Sequence, residues 1–241
     1  MHIAHLNPNR VLVITLLLFS SITAKADKNN KFYFPVERYY GNGGVYFDRA
    51  CRELDRNNLE GAHQALDAAI QADPKMWPAW YARASVNLEL RRYDPAVRDC
   101  NEAGRLKPQF KRTFIVRAEA LAHLNRCTEA LADLDRVISL HPYEEIAAYA
   151  LTTRAWLRAG CRNSAVYDPK KAVEDATQAC KLDGWKMADY LDTLAYACAV
   201  NGDSESAIKY EKKAIDSGRF APDELKRAEE HLAYFQKQRP H

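Results

Sequence analysis

Apolar, small and proline positions return along this chain at a fixed interval. Three segments close alike: Ala69-Ile-Gln-Ala-Asp-Pro74, Ala103-Gly-Arg-Leu-Lys-Pro108 and Val137-Ile-Ser-Leu-His-Pro142. The prolines lie 34 residues apart twice, a period typical of stacked helical hairpins. With each proline taken as position 32, alanine stands at position 8 (Ala50, Ala84, Ala118) and position 20 (Ala62, Ala96, Ala130). Position 27 holds Ala69, Ala103 and Val137, and position 4 is aromatic (Tyr46, Trp80, Phe114). Each choice has a packing reason. Antiparallel helices approach closely only where side chains are small, and the aromatic ring is expected to fill the space between neighbours. Proline cannot extend the second helix, because it lacks the N–H and restricts the residue before it.

Two altered periods follow. Taking Gly160 as position 15 puts Tyr149 at position 4, with Ala172 and Ala179 at 20 and 27. That register implies a seven-residue insertion between the two helices, around 161–167. The last period reads Leu191, Ala195, Gly202, Ala207 and Ala214, closed by Ser217-Gly218. Asp94-Pro95 and Asp168-Pro169 each suggest an N-cap aspartate before a proline at the first helical position. Five helical hairpins over 44–219 are expected. Beyond them, 220–241 holds one amphipathic helix from Pro222 to Gln238 and a tail, with Leu225, Ala228, Leu232 and Phe235 on one face. Such a helix would cover the last exposed apolar surface of a stacked array. Residues 27–43 are rich in aromatics (Phe32-Tyr33-Phe34, Tyr39-Tyr40), and Gly41-Asn-Gly-Gly44 reads as a flexible turn.

The first 26 residues have another character. Arg10 precedes the short apolar run Val11–Phe19, and Ala24-Lys25-Ala26 has the form of a cleavage signal. The run is about half the ~20 residues that a membrane helix needs. A signal peptide over 1–26, cleaved after Ala26, and export to the periplasm or the exterior are therefore expected, without stable membrane insertion.

Composition agrees with helices: Ala, Leu, Arg, Lys and Glu dominate, and only 9 Gly and 10 Pro interrupt 241 residues. With Arg10 and Lys25 set aside, the 35 basic residues become 33 against 32 acidic ones. The basic pairs Arg91–Arg92, Lys170–Lys171 and Lys212–Lys213 are interleaved with acids. Nucleic-acid binders usually draw their affinity from a basic excess, so no nucleic-acid partner is expected.

These positions resemble the tetratricopeptide repeat superfamily over about 44–219. The stretch AWYARASVNLELRRYDPAVRDCNEAGRLKP (Ala79–Pro108) is near its consensus. The stretch Arg154–Ile215, with RAWLRAGC and YLDTLAYACAVNGDSESAIKYEKKAI, is similar to a paired module of bacterial members, exported ones included. The resemblance implies an all-α, right-handed superhelix of about five helix-turn-helix repeats with a C-terminal capping helix. It also implies a concave groove for a partner's peptide or helix. Lys and Asn at positions 5 and 9 form a carboxylate clamp in one subgroup. Here position 5 is Phe47, Tyr81, Ile115, Ala150 and Asp192, and position 9 is Cys51, Ser85, Glu119, Arg154 and Tyr196, so the clamp is missing. The groove positions implied by the resemblance are Phe47, Leu54, Tyr81, Leu88, Glu89, Arg112, Ile115, Glu119, His123, Arg154 and Arg158. They suggest a partner segment apolar at one end and acidic toward the other. The alternative for part of this set is packing against 27–43.

No catalytic pattern emerges. No two of His63, His123, His141, His231 and His241 stand at i, i+4, so no zinc spacing appears. Neither a P-loop nor a G-x-S-x-G motif is present, and no cofactor is implied. Cys51, Cys100, Cys180 and Cys198 fall within expected helices as small hydrophobes. Cys127 and Cys161 fall at inter-helix turns and form the disulfide candidate. Stacked helices lie ~8–10 Å apart, beyond the ~4.4–6.8 Å that a disulfide spans, so the freedom of the inserted turn would have to close the gap. The sequence thus points to a non-enzymatic adaptor or scaffold with a protein or peptide partner. A self-assembling homo-oligomer of the cell envelope and a glycan- or ligand-binding solenoid are the alternatives.

Overall fold

The computed structural model describes residues 41–140, 142–161 and 165–238. The leader over 1–26, and all of 27–43 before Gly41, lie outside the described residues. Every regular element described is an α-helix: α1 (Gly41–Asp55), α2 (Leu59–Ala72), α3 (Trp77–Glu89), α4 (Tyr93–Leu106), α5 (Arg112–His123), α6 (Cys127–Ser139), α7 (Glu144–Gly160), α8 (Pro169–Leu182), α9 (Ala188–Val200), α10 (Ser204–Asp216) and α11 (Pro222–Lys237). No described helix is long and apolar enough to cross a membrane. The chain divides into two compact units, one ending at His123 and the other starting at Leu124. In the first, each helix packs on the next, and α3 also meets α5. In the second, α6 to α11 pack in succession, and α7 also meets α9.

The alanine positions form the core of both units. Ala84, Ala118, Ala62, Ala96, Ala130, Ala69, Ala103 and Val137 are all fully buried, as are Ala195, Ala207 and Ala214 of the last repeat. The aromatic position is less uniform. Phe114 is buried, Trp80 is half-buried with its indole N–H donating to Pro74 O (2.9 Å), and Tyr46 is 41% exposed. Trp80 reaches back onto the preceding repeat, whereas among the described residues no helix precedes α1. The glycines read as a flexible turn lie inside α1 instead. A Cβ on Gly43 would stand 2.8 Å from Met76 Cε and 3.2 Å from Ala69 O, so glycine at this position allows α1 to approach α2 closely.

Four of the hairpin turns use one left-handed residue at position 15: Asn57 (φ 57°), Arg91 (φ 57°), Asn125 (φ 63°) and Gly202 (φ 87°). Asn58, Arg92 and Asp203 then donate their N–H to Glu53, Asn87 and Cys198 carbonyls (2.8, 2.7 and 2.9 Å), the Schellman closure of a helix end. Asn58, Asp168 and Asp203 cap α2, α8 and α10 through their carbonyl or carboxylate oxygens. Asp94 does not cap: it lies in the first turn of α4, after Tyr93.

The fourth repeat departs from the expected register. Gly160 is the last residue of α7 and does not occupy the left-handed turn position. Fully buried Ala155 is equivalent to Ala84 and Ala118 at position 8, since Arg154 before it meets Asp175 of α8 as Arg83 before Ala84 meets Asp99 of α4. Tyr149 therefore stands at position 2 and buried Leu151 at position 4. Seventeen residues separate Ala155 from Ala172, where 12 separate Ala84 from Ala96, so the insertion is five residues rather than seven. The longer turn folds back, with Asp168 N–H donating to Arg158 O at 3.0 Å.

Candidate functional site

In the first unit, α3 and α5 carry most of the groove candidates. Trp77 opens α3, one helical turn from Tyr81, and Phe110 lies in the turn before α5. The Phe110 ring centroid stands 4.7 Å from that of Trp77 and 4.9 Å from that of Tyr81, the latter edge-on. Such tilted geometries suit the aromatic quadrupole. Trp77 and Phe110 are half-buried and Tyr81 is buried. Burial pushes the Tyr81 phenol up; Arg112 acts against that, while Cys100 and Glu119 add to it. Arg112 and Glu119 are therefore each within electrostatic reach of Tyr81. Phe47, Leu88 and Ile115 are buried as well, and Leu54, Glu89, Arg112 and His123 are half-buried.

Two members of this set are tuned by desolvation. Glu89, at the end of α3, has its carboxyl raised to about 7 by burial. His123, at the end of α5, is lowered to about 4, mainly by burial and then by the Arg91 charge. Its ring stacks on Tyr93, with centroids 4.3 Å apart and planes 7° from parallel. At neutral pH this face thus presents a neutral imidazole on an aromatic ring.

Arg154 and Arg158 have a different role from the one their assumed positions implied. Arg154 makes a two-pronged pair with Asp175 (2.8 and 2.7 Å) and reaches Asp135 at 2.6 Å. Arg158 donates to the same Asp175 at 2.6 Å. Arg83 in the first unit does the same, donating twice to Asp99 (2.9 and 2.6 Å) and once to Asp67 (2.6 Å). Asn87 completes Asp99, and Arg83 also lies over the Trp80 ring. Burial alone would lower Arg83 and Arg154; hydrogen bonds and charges from their aspartates outweigh it and hold both guanidiniums above their ordinary range. Arg154 is thus the counterpart of Arg83 at position 7, consistent with the two-residue register shift. Arg83 and Arg154 tie a repeat's two helices to each other and to the preceding second helix, and Arg158 adds a second tie within its own repeat. No local motif in the sequence announces them, because Arg154 and its acids lie 19 and 21 residues apart.

The candidate cysteines are joined. Cys127 is the first residue of α6 and Cys161 follows α7; their sulfurs are 2.08 Å apart and their Cα atoms 6.5 Å. Cys51, Cys100, Cys180 and Cys198 are free thiols. Burial pushes Cys51, Cys180 and Cys198 up to about 12, which keeps them protonated and unreactive.

Residues 47–109 match the tetratricopeptide repeat family model. Mouse (Mus musculus) sperm-associated antigen 1 is 31% identical over 129 residues, 52% of this chain. The chain spans only 13% of that protein's length. A thermophilic tetratricopeptide protein of Thermus thermophilus superposes with a TM-score of 0.67 at 18% identity, covering 79% of this chain and 99% of that one. YrrB, described as a tetratricopeptide protein with an unusual peptide-binding site, gives 0.53 at 20% identity, with 81% and 94% covered. At these identities the structural likeness shows the fold. The family model over 47–109, the buried alanine code and the likeness to solved tetratricopeptide structures agree on a tetratricopeptide-type fold of stacked helical hairpins.

Proposed function

We propose that the chain is an exported adaptor or scaffold that binds a segment of a protein partner on the first unit. The observation that carries this reading is the cluster of Trp77, Tyr81 and Phe110 beside Arg112 and Glu119. Half-buried aromatics with charge at their edge are the usual anchors of protein interfaces. The repeat family and the peptide-binding site named for YrrB support the same class of partner. The partner segment is apolar where it meets the rings and polar where it meets Arg112 and Glu89; Glu119 itself is buried. Arg154 and Arg158, committed to Asp175, are not part of this surface. The leader pattern supports export, as does the Cys127–Cys161 bond, since disulfides persist mainly in oxidising compartments. No catalytic role is assigned.

Proximity labelling in the native host, followed by calorimetry with the purified partner, tests the proposal. Phe110→Ala and Trp77→Ala should each weaken binding by ~10-fold or more, the scale of an interface anchor, with helical circular dichroism unchanged. Undiminished affinity in both variants would refute it. A particle mass that rises with concentration in light scattering, without any partner, would point to self-assembly instead.

A further inference from the structure

In the second unit, side chains from three helices converge on one place. Asp192 of α9, Glu211 of α10 and His231 of α11 each point one ligand atom to a common place, all within 4.8 Å of one another. His231 Nδ1 lies 3.2 Å from Asp192 Oδ1 and 3.7 Å from Glu211 Oε1. Glu211 is 0% exposed and Asp192 4%. The arrangement is long-range: the three residues are 19 and 20 positions apart in sequence, so the histidine spacing gave no sign of it.

Histidine and carboxylate are common ligands of transition cations, and here one atom from each of three helices converges on a largely buried place. A divalent cation can take one ligand atom from each of the three side chains. The distances suit it. Tetrahedral zinc with bonds of ~2.0–2.1 Å to imidazole nitrogen and carboxylate oxygen separates its ligands by ~3.3 Å. The two nitrogen–oxygen separations lie within half an ångström of that value, and the two carboxylate oxygens lie within 4.8 Å of each other. One imidazole with two carboxylates favours a transition cation over calcium or magnesium, which seek six or more oxygens or keep their water.

We propose that Asp192, Glu211 and His231 form a binding site for a divalent transition cation of the zinc class. The ion clips the terminal helix α11 to the two helices of the last repeat. Such a clip would make closure of this end of the unit depend on metal.

The test uses the full chain, stripped with chelator and titrated with zinc sulfate against a chromophoric competitor. One equivalent should bind. His231→Gln, Asp192→Asn and Glu211→Gln should each weaken it by more than the ~10–100-fold typical of outer-shell changes. Cobalt(II) in the unaltered chain should give the visible absorption of a tetrahedral nitrogen–oxygen site, a readout that stands even where a variant fails to fold. Thiolate-to-cobalt charge transfer in its place would overturn the assignment, by moving binding to the cysteines. So would zinc affinity unchanged in folded variants, displacement of zinc by equimolar magnesium, or no uptake at all, which would leave a hydrogen-bonded trio only.

Discussion

Removing the Cys127–Cys161 bond tests both the packing of the second unit and the oxidising compartment proposed for it. The bond closes a loop of sequence separation 34. In the chain-entropy description such a crosslink takes about 13 cal/mol/K from the unfolded ensemble, or about 4 kcal/mol at 25 °C. The double variant Cys127→Ala/Cys161→Ala should therefore unfold at lower urea and lower temperature, with Tm reduced by about 15 °C for a unit of this size. The unaltered chain should yield four titratable thiols in denaturant, from Cys51, Cys100, Cys180 and Cys198, and six after reduction. Both bonded cysteines are buried, so a reductant should act slowly under native conditions and quickly in urea. Six thiols in protein recovered from the host's envelope would refute the bond. A double variant within ~0.5 kcal/mol of the parent would refute the loop-entropy reasoning.

Further outcomes follow from the ion pairs and the titrating groups. Arg154→Ala leaves buried Asp175 with Arg158 as its remaining arginine and should cost ~2–3 kcal/mol, the scale of hydrogen bonds to a charged group; an exposed pair such as Arg126–Glu129 should cost under ~1 kcal/mol, and equal losses in urea melts would contradict the clamp. Glu89, raised to about 7, keeps its proton in the folded state while the unfolded chain has lost it. Stability should therefore fall between pH 4.5 and 7, by roughly 1–3 kcal/mol, and Glu89→Gln should remove that slope. His123, lowered to about 4, stays neutral when folded while the unfolded chain takes up a proton. Its contribution has the opposite sign, with stability rising from about pH 4 to 6.5, and His123→Gln should flatten it in the same pH series of melts. Phe235→Ala empties the buried anchor of α11 and should cost ~3–5 kcal/mol, lost first in hydrogen exchange from that helix; uniform loss of protection across both units would count against its role as a local cap.

The fold was legible to the extent that it rests on short-range rules. Ala84, Ala96 and Ala103 mark helix crossings whatever surrounds them, and Asn57, Arg91 and Asn125 turn the chain because the period places them just past a helix end. The α11 bounds of Pro222–Lys237 differ from the sequence reading by one residue. Legibility failed where one landmark carried the register. Gly160 looked like the turn glycine, yet α7 runs through it, and the left-handed turn can be filled by residues such as asparagine or arginine elsewhere in the chain. Two residues of error were enough to turn Arg154 from a clamp into a groove residue. The glycine-rich start of α1 was misread for a related reason: local propensity favours a turn, but close packing on α2 requires small residues in a helix.

Sequence alone thus determined the helical hairpins, their period, the capping helix and the residue types at each crossing, because these depend on neighbours within one or two turns and on a repeated code. The tertiary structure decided which arginine meets which aspartate, that Cys127 and Cys161 are joined, and that Asp192, Glu211 and His231 converge. Those contacts join residues 16 to 39 positions apart, and their energies depend on burial and on distances of a few ångströms, which no periodicity encodes.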